Sequence, residues 1–462
     1  MDDRLTGFYG SLKGRRIAML GLGMSNAPLI FQFLEKGAVV TARDRRSREE
    51  LGELAGRLEA AGARLLLGDG YLAELDEEIV FRTPGMKYNL PQLDEARRRG
   101  VAVTSEMEVF FDLCPCKTIA VTGSDGKTTT TTVISEMLAS QGLTVHLGGN
   151  IGHPLLPEIA NIAPGDMAVV ELSSFQLISM RRSPDIAVVT NVSPNHLDIH
   201  KDMQEYISAK RNVFLHQNAF GRAAFNLDND ITASFVPEAR GQCFVFSRRR
   251  PVEYGAYLEG GVLRFNDGMR VHDVMEARDI RIPGMHNVEN YLAAISALWG
   301  VVSSENMRKV ARSFAGVEHR NELVRELGGV KYYNDSIATS PTRTIAGLDS
   351  FDRSVILIAG GYDKHIPFDV LGPKVVEKVK RLILLGKTAD KIEEAVRAAQ
   401  GFDAEKLPVV KVATLEDAVA DARGHAAPGD IVTLSPACAT FDGFRNFEER
   451  GRIFKEIVCG LR

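Results

Sequence analysis

Residues Gly126-Lys127-Thr128 open a helical stretch that continues through Val133, Ile134, Met137 and Leu138, directly after a short apolar strand, Ile119–Val121. Strand, small-residue turn and helix N-terminus together build an anion site, because unpaired backbone N–H groups and the positive end of the helix dipole point at one place. Around such a turn, made of Gly123, Ser124, Asp125, Gly126 and Thr129, a triphosphate would sit. Lys127 would reach its β- and γ-phosphates, and the Thr128 hydroxyl would ligate Mg²⁺. A generic P-loop carries glycine five positions before Gly126, where Val121 stands, and the extra glycine is displaced to Gly123.

Other side chains fall at the tips of neighbouring strand-like runs. Glu171 follows Ala168-Val169-Val170, where a carboxylate could complete a Mg²⁺ site with Thr128 or cap the next helix. His196, in the loop Asn191–Asp198, reads either as a surface residue or as a second metal ligand or substrate contact, and Lys210 reads as a solvated lysine in mid-helix. Earlier, Gly21-x-Gly23 is followed by Asn26, where a nicotinamide fingerprint needs glycine or alanine; that argues against a hydride carrier and leaves a nucleotide or sugar-nucleotide turn, or merely a tight βα corner. Asp44 ends the next strand, placed for a ribose or uracil, or simply solvated.

Elements must hold these groups in place. Apolar runs at 16–20, 39–42, 64–67, 79–81 and 101–104 alternate with helical patterns, and the same alternation recurs from 119 and again from 355. That rhythm predicts α/β architecture with parallel sheets, ligands lying at the carboxyl ends of the strands. The expected organisation is three domains: a Rossmann-like domain at 1–105, a central P-loop ATPase-like domain at 106–316 with a small antiparallel insertion at Gly260-Gly261, and a Rossmann-like domain at 317–462. A chain of 462 residues, 45% hydrophobic and 25% charged, has material for several cores. A net charge of −4 gives no reason to expect nucleic acid. The absence of a long apolar run or signal-like N-terminus, with five cysteines in no zinc pattern, predicts a cytoplasmic chain without membrane insertion.

In combination, the chain resembles the Mur ligase family, ATP-dependent amide-forming enzymes of peptidoglycan precursor synthesis. The resemblance rests on Thr122–Thr128, Gly148-Gly149-Asn150-Ile151-Gly152, Glu171–Leu177, His196-Leu197-Asp198, Gly284-x-His286-Asn287 and His319-Arg320. Asn334-Asp335-Ser336 and the tail from Ser435 to Gly451 are similar to the member that adds D-glutamate to UDP-N-acetylmuramoyl-L-alanine. The resemblance implies a monomer using ATP and two Mg²⁺ sites, the first held by Thr128 and Glu171, the second by His196 and a carbamylated Lys210. Lys127, His196 and Lys210 would be catalytic. Asn287, Asn290, Arg320 and Asp335 would contact ATP. Met24, Ser25, Asp44, Arg45, Thr83, Pro84, Gly85, Asn150 and His196 would hold the UDP-sugar, and Thr339, Lys364, Thr440 and Phe447 would frame D-glutamate. Ile337 stands where some relatives carry Lys, and Thr440 where Ser is common.

Overall fold

The computed structural model describes residues 3–194, 199–363, 367–440 and 443–462. His196 and Lys364 lie outside the described residues. The apolar runs become strands in three sheets. The first holds β1 (Arg16–Leu20), β2 (Val39–Asp44), β3 (Arg64–Leu67), β4 (Ile79–Arg82) and β5 (Ala102–Thr104), all parallel, in the order β3-β2-β1-β4-β5. The order reverses at β1, so a crevice opens between the tips of β1 and β4.

The second sheet comprises β6 (Lys117–Thr122), β7 (Val145–Gly149), β8 (Met167–Glu171), β9 (Ile186–Val189), β10 (Arg222–Asn226), β11 (Gln242–Ser247), β12 (Gly255–Glu259), β13 (Val262–Asn266) and β14 (Val271–Glu276). Its order is β14-β13-β12-β11-β10-β9-β6-β8-β7. β6 lies between β8 and β9, parallel to both, so three polar tips converge on the turn after β6. The expected antiparallel piece is there: β13 pairs antiparallel with β12 and with β14. Its first turn is Gly260-Gly261, with φ of +60° and +79°. Two consecutive positive φ values are what a two-residue hairpin turn asks for.

The third sheet holds β15 (Glu322–Leu327), β16 (Val330–Asn334), β17 (Val355–Ala359), β18 (Val379–Leu384), β19 (Val409–Lys411) and β20 (Ile431–Leu434), in the order β15-β16-β20-β17-β18-β19. Only β15 runs antiparallel. Every residue of β8, β9, β17 and β20 is buried, which is why β9 and β17 read as unbroken Val, Ile, Leu and Ala runs and β8 and β20 as nearly so, broken only by Met167, Glu171 and Thr433, and not as alternating patterns.

By contact, the chain divides into two units, Met1–Ala277 with Glu289–Val310, and Arg278–Val288 with Ala311–Arg462. The first unit holds the first two sheets, whose apolar faces share a core of residues such as Phe33, Phe81, Phe110 and Leu156. Burying each such phenylalanine contributes about 2–3 kcal/mol, so this shared core is a large part of what holds the two sheets in one unit. The second unit packs helices on both faces of the third sheet through separate clusters. Among the described residues, no helix is long and apolar enough to cross a membrane.

Candidate active site

The helix Lys127–Ser140 begins without a side-chain cap, whereas Ser47, Ser105, Ser173, Asp202, Thr414 and Asn446 cap other helices. Its N-cap, Gly126, takes φ +76°. A Cβ there would collide with Asn290 Oδ1, and a Cβ on Gly123 would collide with Thr190 Oγ1. The displaced glycine is thus required by the close approach of the β9 tip. Thr190 Oγ1 donates to Asp125 O at 2.6 Å, Asn191 O accepts from Ser124 N at 2.8 Å, and Asn191 Oδ1 accepts from Asp125 N at 3.0 Å. The loop is held in shape from outside while the first turn of its helix stays uncapped. Lys127 Nζ donates to Ser124 O at 2.9 Å, and the Thr128 hydroxyl is buried at the same corner.

Glu171 is the last residue of β8, in register with Val121. It does not cap the following helix; Ser173 and Gln176 do so in a reciprocal capping box. One carboxylate oxygen, Oε1, accepts from Asn150 Nδ2 at 2.7 Å, and Oε2 is buried with no hydrogen-bond partner among the described residues. Leaving a carboxylate oxygen buried and unpaired is costly, and a cation would satisfy it. Asn150 N also donates to Glu171 O, so Asn150 and Glu171 are brought together as a pair.

Lys210 corrects the sequence reading. It is not a solvated lysine: only 1% of it is exposed. Its Nζ donates to Gly123 O at 2.7 Å, contacts Thr122 Oγ1 at 3.4 Å, and lies 4.7 Å from the centre of the Tyr206 ring. Burial, with the neighbouring charge of Lys127, pushes its ammonium well below the usual lysine range, against the pull of Asp125 and Glu171. A neutral buried amine is nucleophilic and can take up CO₂ as a carbamate. The sequence misled because the helix Met203–Leu215 is polar on paper, and its buried face carries Tyr206, Ala209, Lys210, Val213 and Phe214. The one available signal was Tyr206, four residues before Lys210 and so on the same face. Tyr206 Oη meets Ser124 Oγ at 3.0 Å.

At the first sheet, a Cβ on Gly21 (φ +83°) would lie 2.7 Å from Thr83 Cγ2, so the tips of β1 and β4 meet where the switch point predicts. Asn26 turns inward and is 1% exposed, its Nδ2 donating to Leu20 O and Gly21 O at 3.0 Å each. That is why asparagine suits a place where a dinucleotide fingerprint would have glycine. Asp44 Oδ2 accepts from Leu22 N at 2.7 Å and pairs with Arg46. Burial would raise the Asp44 carboxyl, but the hydrogen bonds from Arg46 and Leu22 more than offset this and hold it below its ordinary value. Met24 and Arg45 are exposed at the same rim, with Ser25, Thr83 and Pro84 half-buried and Gly85 exposed.

In the second unit, His319 and Asn321 take φ of +63° and +42°, a strained corner that presents Arg320. Arg320 Nε is buried without a hydrogen-bond partner among the described residues. Asp335, just past β16, accepts from Ser435 Oγ at 2.7 Å and Asn321 N at 3.3 Å. Burial pushes its carboxyl up to about 7, opposed by Ser435, Asn321, Arg320 and Arg343. Thr440 is buried, Thr339 half-buried, and Phe447 lies edge-on to His319 with ring centres 6.0 Å apart. Arg450, to which the sequence assigned no role, is buried and ties Ser336, Cys438 and Ala439 together. Glu318, His319 and Glu322 could also form a metal cluster, but Lys455 already pairs with both carboxylates. Asn290 accepts from Thr130 Oγ1 at the P-loop helix, while Asn287 belongs to the second unit, its Nδ2 donating to Pro283 O.

Comparison with known proteins shows the family. Residues 121–298 match the Mur ligase middle domain, and residues 319–438 match the Mur ligase glutamate ligase domain. A protein of Acetivibrio thermocellus named UDP-N-acetylmuramoylalanine–D-glutamate ligase is 53% identical, with all of both chains covered. A protein of the same name from Clostridium botulinum is 51% identical, again with both chains fully covered. Among solved structures, the UDP-N-acetylmuramate-alanine ligase of Thermotoga maritima shares the fold at a TM-score of 0.57 and 15% identity, covering 96% of this chain and 99% of its own. A UDP-N-acetylmuramoyl-L-alanyl-D-glutamate–2,6-diaminopimelate ligase does so at a TM-score of 0.55 and 18% identity, covering 97% and 93%.

Proposed function

The chain belongs to the Mur ligase family, and from that premise we infer that it joins D-glutamate to UDP-N-acetylmuramoyl-L-alanine, consuming ATP and requiring Mg²⁺. The observation that carries the reading is the corner after β6. There an uncapped helix N-terminus, Lys127, the buried Thr128 hydroxyl and an unpaired Glu171 oxygen converge.

In the first step an oxygen of the alanyl carboxylate attacks the γ-phosphorus, the bond to the β-phosphate oxygen breaks, and ADP leaves. In the second, the amine of D-glutamate attacks the acyl carbon of the resulting acyl phosphate. The carbon–nitrogen bond forms, phosphate departs, and the amine gives up a proton. Phosphoryl transfer of this kind needs positioning and charge neutralisation more than covalent help. The helix N-terminus and Lys127 supply fixed positive potential. Thr128 and Glu171 fit a first Mg²⁺, and His196 with Lys210 as its carbamate would hold a second. Bound Mg²⁺ neutralises charge on the phosphates. Carbamylation needs no further reactant than CO₂, since the neutral amine forms the nitrogen–carbon bond and releases one proton.

We assign Gly123, Ser124, Asp125, Gly126, Thr129, Asn287, Asn290, Arg320 and Asp335 to ATP. The UDP-sugar is assigned to Met24, Ser25, Asp44, Arg45, Thr83, Pro84, Gly85, Asn150 and His196, and D-glutamate to Thr339, Lys364, Thr440 and Phe447. No disulfide joins any of the cysteines among the described residues, which suits a reaction in the cytoplasm. The test supplies ATP, Mg²⁺, D-glutamate and UDP-N-acetylmuramoyl-L-alanine. A product heavier by one glutamyl unit, formed with stoichiometric phosphate, is expected. Phosphate release with L-alanine or diaminopimelate in a panel, but not with D-glutamate, would overturn the assignment.

A further inference from the structure

Ser174, His200 and Glu205 form a relay, buried at Ser174 and His200 and half-buried at Glu205, that the chemistry above does not use. Ser174 Oγ lies 2.9 Å from His200 Nε2, and His200 Nδ1 lies 3.1 Å from Glu205 Oε2. The carboxylate can only accept, so Nδ1 carries a proton, and in the neutral imidazole the Ser174 hydroxyl donates to Nε2. Glu205 Oε2 also accepts from Lys201 N at 2.9 Å, which fixes its orientation. Phe175 stacks on the imidazole with ring centres 5.1 Å apart and planes 6° from parallel, and Tyr206 meets its edge at 5.3 Å.

The spacing is that of a nucleophilic serine triad. Ser174 is only 2% exposed, however, with its hydroxyl turned inward onto an imidazole that is 4% exposed, so an acyl group has no approach. What the relay joins is more informative. Ser174 opens the short helix Ser174–Leu177, three residues after Glu171, and Glu205 lies in the first turn of the helix that carries Tyr206 and Lys210. The far end of the short helix is tied to the same long helix, Asn212 Nδ2 donating to Leu177 O at 2.9 Å. Arg82, at the end of β4, holds the same segment through Phe175 O at 3.0 Å and, just past the helix, Ser179 Oγ at 3.2 Å.

We propose that His200, with Ser174 and Glu205, is a positioning residue for the metal-binding corner, locking Glu171 and Lys210 at a fixed separation although they come from different elements. This rests on the reading that Glu171 and Lys210 serve Mg²⁺. Mg²⁺ tolerates little departure from octahedral geometry, so a slack clamp weakens the metal and leaves D-glutamate binding alone. Loss of such an outer partner lowers metal affinity by about tenfold or more.

The experiment titrates Mn²⁺ into the full-length protein with a non-hydrolysable ATP analogue, following free Mn²⁺ by electron paramagnetic resonance. Ser174→Ala and His200→Ala are expected to weaken Mn²⁺ about tenfold and to raise the half-saturating Mg²⁺ for turnover in parallel, with KM for D-glutamate unchanged and Ser174→Thr restoring wild-type affinity. A merely structural role would reduce the active fraction without moving the Mn²⁺ affinity. Should His200→Ala fail to fold, Ser174→Ala and Glu205→Gln decide the question. Mn²⁺ affinity within twofold of wild type in both of these, while Glu171→Gln weakens it, would overturn the clamp alone. Unchanged affinity in Glu171→Gln would overturn the metal reading beneath it.

Discussion

The first unit contains the same corner twice, built to opposite ends. After β1 the turn keeps its charge paired: Asn26 donates to the carbonyls of Leu20 and Gly21, and Asp44 is taken up by Leu22 N and Arg46, leaving over only the neutral Asn26 Oδ1, which has no partner among the described residues. After β6 the turn is held by neighbours, Thr190 and Asn191, and charged groups are left over: a carboxylate oxygen without a partner among the described residues and a lysine driven toward neutrality; both following helices start without a side-chain cap. A corner whose charges are paired can offer shape and a few hydrogen bonds to a ligand. One whose charges are left over stores electrostatic potential, and charge has to be brought in to discharge it. Strand, glycine turn and helix are common to both, so the difference in chemistry lies in which polar groups the fold leaves unpaired.

The largest effect that sharpens this contrast is expected at Lys127. Lys127→Ala should lower kcat by about 10³-fold or more while the thermal midpoint moves little, because the side chain stands in the leftover equipment and not in the scaffold. Near-normal ligation in a steady-state assay would break the comparison outright.

A smaller but still large effect is expected in the second unit, whose strand-tip carboxylate, Asp335, is hydrogen-bonded by Ser435 Oγ and Asn321 N yet still carries a large burial penalty. Its folded pKa of about 7 lies above the ordinary 3.8, so the stability that its protonated form contributes is complete below about pH 4 and is lost as pH rises through 7. Asp335→Asn cannot ionise. It should therefore be more stable than the native chain at pH 8, on the order of 4 kcal/mol at most, and no more stable at pH 4, as read by urea denaturation at the two pH values. Ligation should fall in the same variant, since the strained charge is the part assigned to ATP. A variant that is equally stable at both pH values would show the burial penalty to be relieved in some other way.

Asn26 is the converse. Asn26→Ala removes two donors from buried carbonyls and should cost about 1–3 kcal/mol in urea denaturation, with kcat of the folded protein unchanged. Lost turnover at full folding would mean that the first corner also takes part in the chemistry.

The fold was legible because its strands are short apolar runs closed by polar tips, so β1 and β3 fall on the expected residues and β2, β4 and β5 within two. The P-loop corner was legible for the same reason: Gly126 and Gly123 are demanded by backbone geometry, which leaves its mark locally. Lys210 was only partly legible from its own surroundings. Tyr206, one turn earlier, marks its face as inward, but the partners that close over it, Gly123 and Thr122, lie 87 and 88 residues away. The resemblance to a family supplied the role that physics of the local sequence could not. Arg82, Ser174 and His200 stayed invisible for a related reason, since each is polar and reads as solvated until partners from other elements close over it.

The smallest effect tests the first corner at its ligand-facing edge. In Asp44→Asn the amide oxygen can keep the hydrogen bond from Leu22 N, while the charge opposite Arg46 is lost. Arg46 is 45% exposed, so that pair is worth less than about 1 kcal/mol, and the thermal midpoint should hardly move. The carboxylate's remaining acceptor capacity is what a ribose or uracil would use. Losing it should raise KM for the UDP-sugar about tenfold with kcat unchanged, the pattern of an interaction equally strong in the ground and transition states. A fall in kcat at unchanged KM would place Asp44 among the groups that act only during phosphoryl transfer. The two corners would then differ in degree of satisfaction but not in kind.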